Sequence, residues 1–392
     1  MIKKLRKYDF TLLITPLLLA GFGLVMIYSA SMVTAMVEGH EATYFLFRQL
    51  RMFLIGLVFF IFCLVFPYKN YQKLMKLIVL GIIAILLGVL LFGLTEGNAS
   101  RWLRIGPIVI QPSEFAKLGI IMYLASVYSK KQSYIDKFTT GVLPPLIMTS
   151  IILGLIVFQP DIGTASTIFL IACTVIFSSG IKMRHLLLLA SIGGIILLIA
   201  IPNMITDVRV SRFTGAYQPF EDPADNGYQL IQSYIAIGGG GITGEGLGQS
   251  VQKLGYLFGA HTDFIMSVIA EELGFFGVVI VIGLLSVIVL RGFYIARKCQ
   301  DAFGSLLAIG ISSMIGIQAF INLGAISGIL PITGVTLPFI SYGGSSLLVL
   351  LISMGILNNI ASSVKLQRND KEPNQHQPTQ TYTYQGGKKW SS

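Results

Sequence analysis

The chain has 392 residues, 54% of them hydrophobic and only 12% charged, with a formal net charge of +10. Soluble domains carry roughly a quarter charged residues, so no soluble fold of this size fits. In a chain this apolar, the basic excess reads as an orientation signal in a membrane rather than as a surface for nucleic acid.

Residues 1–9 carry four basic side chains ahead of an apolar run at 10–30. That run is about 20 residues, longer than the core of a signal peptide, and predicts an uncleaved span. Further spans are predicted at 48–66, 77–94, 112–129, 140–158, 164–180, 184–204, 264–290, 303–326 and 342–363. The fourth is polar for a span because it contains Glu114 and Lys117. The fifth and sixth meet at the short turn Gln159-Pro160-Asp161-Ile162-Gly163. Residues 205–262 form one long loop holding Tyr217-Gln218-Pro219-Phe220, Gly227-Tyr228-Gln229 and a run of four glycines at 238–241. Long ordered loops are uncommon and usually functional. Residues 302–364 contain no Asp, Glu, Lys, Arg or His, a stretch tolerable only where lipid or protein surrounds it. The polar tail at 364–392 is expected to be disordered. The expected fold is an all-α integral membrane protein of about ten transmembrane helices with one long extracellular loop, in which residues 1–363 form the polytopic domain.

Orientation follows from the loops. With the N-terminus inside, 20 of the 28 Lys and Arg residues fall on alternate, cytoplasmic segments. Both termini are then cytoplasmic, and 205–262 is external. Cys63 and Cys173 lie in apolar spans and Cys299 in a basic loop, which makes a structural disulfide unexpected. There is no GxGxxG after a strand, no P-loop, no HExxH and no CxxC, so nothing supports nucleotide-driven transport.

Charges near a bilayer are costly and mark candidate sites. Glu114 and Lys117 are spaced to pair on one helix face. They form an internal ion pair that lets the helix insert, or Lys117 faces an anionic ligand that Glu114 helps to orient. Arg209 and Arg212 suit phosphate, because the planar guanidinium donates two hydrogen bonds at once; lipid headgroups and a substrate are equally good partners. Asp263 stands at the outer end of the eighth span. It is either that helix's N-cap, a job Thr262 could do as well, or a general base whose pKa is raised by a semi-apolar site. His261 is an alternative base. Glu271 lies roughly 12 Å deeper along the helix, so it and Glu272 fit structural pairing better. The stretch from Asn322 to Ser346 is apolar yet broken by Pro331, Pro338 and glycines, which favours a non-helical segment packed inside protein over a plain loop.

That stretch resembles the signature of the SEDS family (shape, elongation, division and sporulation). Its core is Pro331-Ile332-Thr333-Gly334-Val335, then Pro338-Phe339-Ile340-Ser341-Tyr342-Gly343-Gly344-Ser345. Further likenesses are Arg101-Trp102, Gln111-Pro112-Ser113-Glu114-Phe115-Ala116-Lys117, the 159–163 turn, His261-Thr262-Asp263-Phe264 and Glu271-Glu272-Leu273-Gly274. Together they span most of the chain before the tail. The stretch from Gly248 to Leu254 is more similar to the division and sporulation branches than to the elongation branch. One departure is Leu257-Phe258-Gly259-Ala260, where the family usually has Leu-Pro-Glu-Ala.

The resemblance implies a ten-helix peptidoglycan glycosyltransferase. Such an enzyme polymerises lipid II, a disaccharide-pentapeptide on undecaprenyl diphosphate, at the outer face of the cytoplasmic membrane. It implies Asp263 as the essential carboxylate, a divalent cation (Mg or Mn) as cofactor, and a class B penicillin-binding transpeptidase with other division or elongation proteins as partners. The candidate substrate-binding residues are Arg101, Glu114, Lys117, Arg209, Arg212 and His261; no metal ligands are legible. An α-linked donor and a β-linked product imply inversion by one displacement. The rival readings are an elongation or sporulation paralogue with the same chemistry, a non-catalytic division scaffold, and a lipid II flippase. A flippase keeps its charges near the midplane, whereas most charges here lie at the outer boundary. The predicted topology is checked by cysteine labelling from outside, which should mark Gln249→Cys and spare Ser133→Cys; labelling of Ser133→Cys alone reverses the orientation.

Overall fold

Inside a bilayer the backbone has no water to bond, so apolar runs resolve into helices that satisfy their own amides and carbonyls. The computed structural model describes residues 7–96, 99–106, 108–132, 137–185, 187, 191 and 207–371. Helix α1 spans Phe10–Val37, α2 Tyr44–Val65, α3 Lys69–Lys73 and α4 Met75–Phe92. A small antiparallel sheet follows, with β1 (Leu94–Glu96), β2 (Ala99–Ile105) and β3 (Ile108–Ile110) in that order. Then come α5 (Pro112–Lys130), a π turn (Phe138–Val142) running into α6 (Leu143–Val157), and α7 (Ile162–Ser178). The stretch between spans seven and eight carries helices of its own, α8 (Asp207–Tyr217) and α9 (Tyr228–Gly239), and a 3-10 turn at Gln252–Leu254. The chain closes with α10 (Ile265–Lys298), α11 (Ala302–Ile326) and α12 (Gly344–Lys371).

Among the described residues, seven helices are long and apolar enough to cross a membrane. Helices α5 and α7 occupy the fourth and sixth predicted spans. The seventh predicted span, at 184–204, falls almost wholly outside the described residues. Exposed Leu54, Val58, Leu77, Leu80, Phe276 and Ile280 face outward from α2, α4 and α10, as lipid-facing side chains should. The buried centre is α11 and α12. Helix α12 lies against α2, where Gly56, Gly344 and Gly355 let the chains approach closely enough that a β-carbon at any of them would strike the neighbouring helix.

Polar clasps fix the ends. Asp9 caps α1, accepting from the amides of Thr11 and Leu12, and also takes the Arg291 guanidinium at 2.8 Å. Asn358 of α12 exchanges two hydrogen bonds with the Asp9 backbone, each 3.0 Å. Its neighbour Asn359 bonds the Tyr68 amide and the Leu64 carbonyl. One turn of α12 thus holds the beginning of α1 and the end of α2 together.

Helix α10 is broken at Gly274, whose φ of 63° and ψ of −159° suit only glycine. The break frees backbone groups at membrane depth, and the segment after α9 takes them up. The Glu245 and Gly246 amides donate to the Glu271 and Glu272 carbonyls at 2.9 and 3.0 Å, and the Phe275 amide donates to Gly241 at 3.0 Å. The Glu271 carboxylate accepts from Ser250 Oγ and the Val251 amide, and Glu272 pairs with Lys253 at 2.6 Å beside Ser29 of α1. Both acids are therefore structural partners of one loop. A methyl at Gly274 would need a strained backbone and would collide with Ile242 and Gly244. Gly274→Ala should therefore cost at least about 1–3 kcal/mol, seen as a lower thermal midpoint of the purified protein and less folded protein in the membrane.

Candidate active site

Asp263 sits just before α10, and the α11–α12 segment builds its platform. Three consecutive carbonyls are each bonded from the end of α11 or the segment that follows it. His261 O accepts from the Tyr342 amide at 2.9 Å, Thr262 O from Ser341 Oγ at 2.6 Å, and Asp263 O from Asn322 Nδ2 at 2.7 Å. Asn322 also bonds the Val335 carbonyl at 2.9 Å, and Ser341 Oγ accepts from the Leu337 amide. Gln49 of α2 reads the same segment from behind, donating to Ser341 O and accepting from the Gly343 amide. Residues Val335, Leu337, Phe339, Ile340 and Ser341 are buried, so the second half of the broken stretch is packed inside protein, whereas Ser327, Ile329 and Gly334 in its first half are exposed and Asn322–Ile326 continue α11. Phe339 is held at a φ of 67°, a conformation non-glycine residues keep only when their surroundings enforce it.

The capping reading of Asp263 is removed. Phe264 is the N-cap of α10 and no side chain caps that helix. Burial pushes the Asp263 carboxyl above the usual carboxylate range; the Thr262 hydroxyl, its own backbone amide and the positive charge of Arg212 pull the other way. A carboxylate whose pKa is raised binds a proton more readily, which suits it to accept one. The His261 ring packs on Phe45 at 4.6 Å and on Tyr342 at 5.6 Å. Burial lowers its pKa to about 4, so it is neutral at neutral pH, and its Nδ1 is buried without a partner among the described residues.

The other sequence candidates divide. Arg212 of α8 acts electrostatically on Asp263. The Arg209 side chain lies outside the described residues. Arg101 of β2 donates to the Pro160 carbonyl in the turn before α7. In that turn Asp161 caps α7 and accepts from Gln111 Nε2 and Ser113 Oγ, each at 3.0 Å. Glu114 and Lys117 pair with each other at 2.7 Å in the first turn of α5, with side chains 10% and 3% exposed. These groups join the site through backbone packing. Gly163 sits so close to the Thr333 carbonyl that a β-carbon would overlap it, and a β-carbon on Gly334 would lie 3.7 Å from Asp263 Oδ2. Gln111 N also donates to Ser345 Oγ at 2.9 Å, tying α5 to the start of α12. Gly259, the departure from the family pattern, has a φ of 70° and offers its carbonyl to the Thr262 and Phe264 amides. Among the described residues no three His, Cys, Asp or Glu side chains gather as metal ligands would.

Sequence reasoning missed Gln49 and the pairing role of Lys253. Neither lies in a recognisable pattern of its own, and each meets its partners across the fold.

A family model described as cell cycle protein, covering FtsW, RodA and SpoVE, matches residues 10–366. The probable peptidoglycan glycosyltransferase FtsW of Bacillus subtilis (strain 168) is 54% identical over 380 residues, covering 94% of each chain. Stage V sporulation protein E of the same organism is 40% identical, covering 90% of this chain and 96% of that protein. Among solved structures, a chain from a peptidoglycan synthase complex that coordinates polymerization and crosslinking superposes with a TM-score of 0.75 at 29% identity, covering 91% of this chain and 98% of that one. The rod shape determining protein RodA of Thermus thermophilus superposes with a TM-score of 0.67 at 28% identity, covering 90% and 96%.

Loss of the Asn322 donor strands two carbonyls, and each unmet buried group costs about 1–3 kcal/mol. Asn322→Leu should lower the thermal midpoint and reduce activity together, whereas a full-strength, wild-type-stable variant would show that the Asp263 platform needs no such bond.

Proposed function

This chain belongs to the cell cycle protein family of FtsW, RodA and SpoVE, and from that premise we propose that it polymerises lipid II into glycan strands for the division septum. It is a multi-pass membrane protein and a peptidoglycan glycosyltransferase. The observation that carries the detailed reading is Asp263: a single carboxylate of raised pKa, not spent on capping, on a platform fixed by three backbone hydrogen bonds and within the field of Arg212.

The reaction joins two lipid-linked sugars. The acceptor hydroxyl attacks the anomeric carbon of the donor from the face opposite the diphosphate. As the new C–O bond forms, the bond to the diphosphate breaks and its electron pair leaves on the phosphate oxygen. The hydroxyl proton passes to Asp263. One displacement inverts the anomeric centre and needs no covalent enzyme intermediate. Arg212, with Arg209 on the same helix, neutralises the charge that grows on the leaving diphosphate. The Glu114–Lys117 pair and Arg101 support the α5 and 159–163 walls. Neutral His261 shapes the site beside Asp263 and adds no charge.

The divalent cation belongs with the substrate diphosphate in this reading. Magnesium is commonly held by one or two carboxylates plus substrate phosphates rather than by a closed protein cage, and no step above runs through it. The likeness to a chain of a peptidoglycan synthase complex supports assembly with a class B penicillin-binding transpeptidase that cross-links the product, with both termini cytoplasmic and the site facing outward.

Asp263→Asn keeps size and removes proton acceptance. A positioned general base contributes about 10²–10⁴ in rate, so the variant should fold and reach the membrane yet lose polymerisation by roughly that factor on gels of lipid II product. In the wild type the rate should fall as pH drops through the raised Asp263 pKa, because the base must be ionised, and His261→Gln should leave that limb in place. Near-normal polymerisation by folded Asp263→Asn rejects the assignment.

A further inference from the structure

Between the end of α1 and the start of α2 lies an open cavity of about 440 Å³, walled by His40, Tyr44, Arg48 and Arg51 together with Glu41. No step above uses it. Arg48 is set in place by Tyr44: its Nη1 donates to the phenol oxygen at 3.0 Å, and its guanidinium carbon lies 5.3 Å from the ring centroid. His40 stacks on the same ring at 4.0 Å. That bond uses one of the five N–H donors of Arg48. Arg51 is three residues further along α2 and so projects from the same face. Two guanidinium groups and one carboxylate, Glu41, line the cavity, which leaves its wall basic. The planar forks suit phosphate oxygens.

A chain of ring contacts leads from the cavity to the catalytic wall. Tyr44 meets Phe45 at 5.2 Å, and Phe45 packs on both His261 and Tyr342. Arg48 and Arg51 both act electrostatically on the Tyr342 phenol, with Glu38 opposing them. Aromatic rings therefore stand between these arginines and Asp263. A diphosphate bound here cannot be the leaving group, which must be attached to the carbon under attack. The acceptor is different. Its diphosphate survives the reaction and sits a disaccharide away from the hydroxyl that gives up its proton.

We propose that the cavity of His40, Tyr44, Arg48 and Arg51 binds the diphosphate of the acceptor lipid, apart from the donor diphosphate near Arg212. The assignment rests on the polymerase reading above. It explains why a reaction between two lipid diphosphates finds two basic mouths around one carboxylate, one from α8 and one from α2.

The test titrates lipid II against wild type and Arg48→Gln/Arg51→Gln, each with its transpeptidase, in nanodiscs of phosphatidylcholine alone and with phosphatidylglycerol added. Losing charge-assisted hydrogen bonds to phosphate should raise the half-saturating lipid II concentration by about tenfold or more in both lipids, with a smaller fall in the maximal rate. Arg48→Lys should recover part of the deficit, since it keeps the charge without the fork. A deficit seen only with phosphatidylglycerol present marks a phospholipid headgroup site and overturns the proposal. Unchanged half-saturation in a double variant that melts like wild type also overturns it, while leaving the polymerase reading intact. If the double variant does not fold, Arg51→Gln, at an exposed position, carries the same comparison. A wild type that polymerises nothing removes both readings together.

Discussion

The backbone carbonyls of His261, Thr262 and Asp263 have no helix amide to donate to them, and the structure depends on how they are met. They precede α10, where no helix of their own supplies a donor. Donors from Tyr342, Ser341 and Asn322 supply all three bonds. Asking where a segment's hydrogen bonds go is a complete accounting question in such surroundings. Here the answer explains why the α11–α12 connection is apolar and broken, and why its second half is buried. It cannot be a helix, because its donors must point at a neighbouring chain. It cannot be an exposed loop, because water would compete for the same donors.

The same constraint recurs at Gly274. Breaking α10 lets its first two turns hold the platform at one angle while the remaining helix crosses the membrane at another. The break leaves the Glu271 and Glu272 carbonyls and the Phe275 amide unsatisfied, and the glycine-rich segment after α9 supplies partners for each. The glycines are there for proximity as much as for turning. A β-carbon at Gly240 would fall on the Ala270 carbonyl. The buried Lys253–Glu272 pair then locks the loop to α10 and, through Ser29, to α1. Buried pairs of this kind are weak contributors to net stability but costly to break from one side, which makes the register of the loop well defined.

Much of this was legible in sequence, and the limits have physical causes. Spans are visible because a bilayer imposes length and composition, and both are local properties. Their ends are less visible, since a helix runs on past the lipid: α1 reaches Val37 beyond the expected end at 30, and α10 reaches Lys298 with Arg297 and Lys298 in its last turn. The small sheet escaped notice because β1 and β3 are three residues each, too short to show alternation. Asp263 was legible through its motif, but the choice between cap and base was not. That choice turns on which residue takes the cap position, and a single residue's shift decides it. The partners of Glu272 and the bonds of Gln49 are contacts between distant elements, which no local pattern encodes.

The clasps made by α12 have a consequence for how the protein comes into being. Asn358 bonds Asp9, 349 residues away in sequence, and Gln49 bonds Ser341 across 292. The chain leaves the ribosome from its N-terminus, so α1, α2 and the Asp263 segment enter the membrane well before the residues that fix them. Contacts of such long sequence separation close late, after their loops have been paid for in entropy. Until α12 inserts, the His261–Asp263 carbonyls lack their donors and the carboxylate has no settled position. A nascent protein is therefore chemically silent during most of its synthesis. A chain that stops short of α12 would carry every charged residue of the site and still have no site.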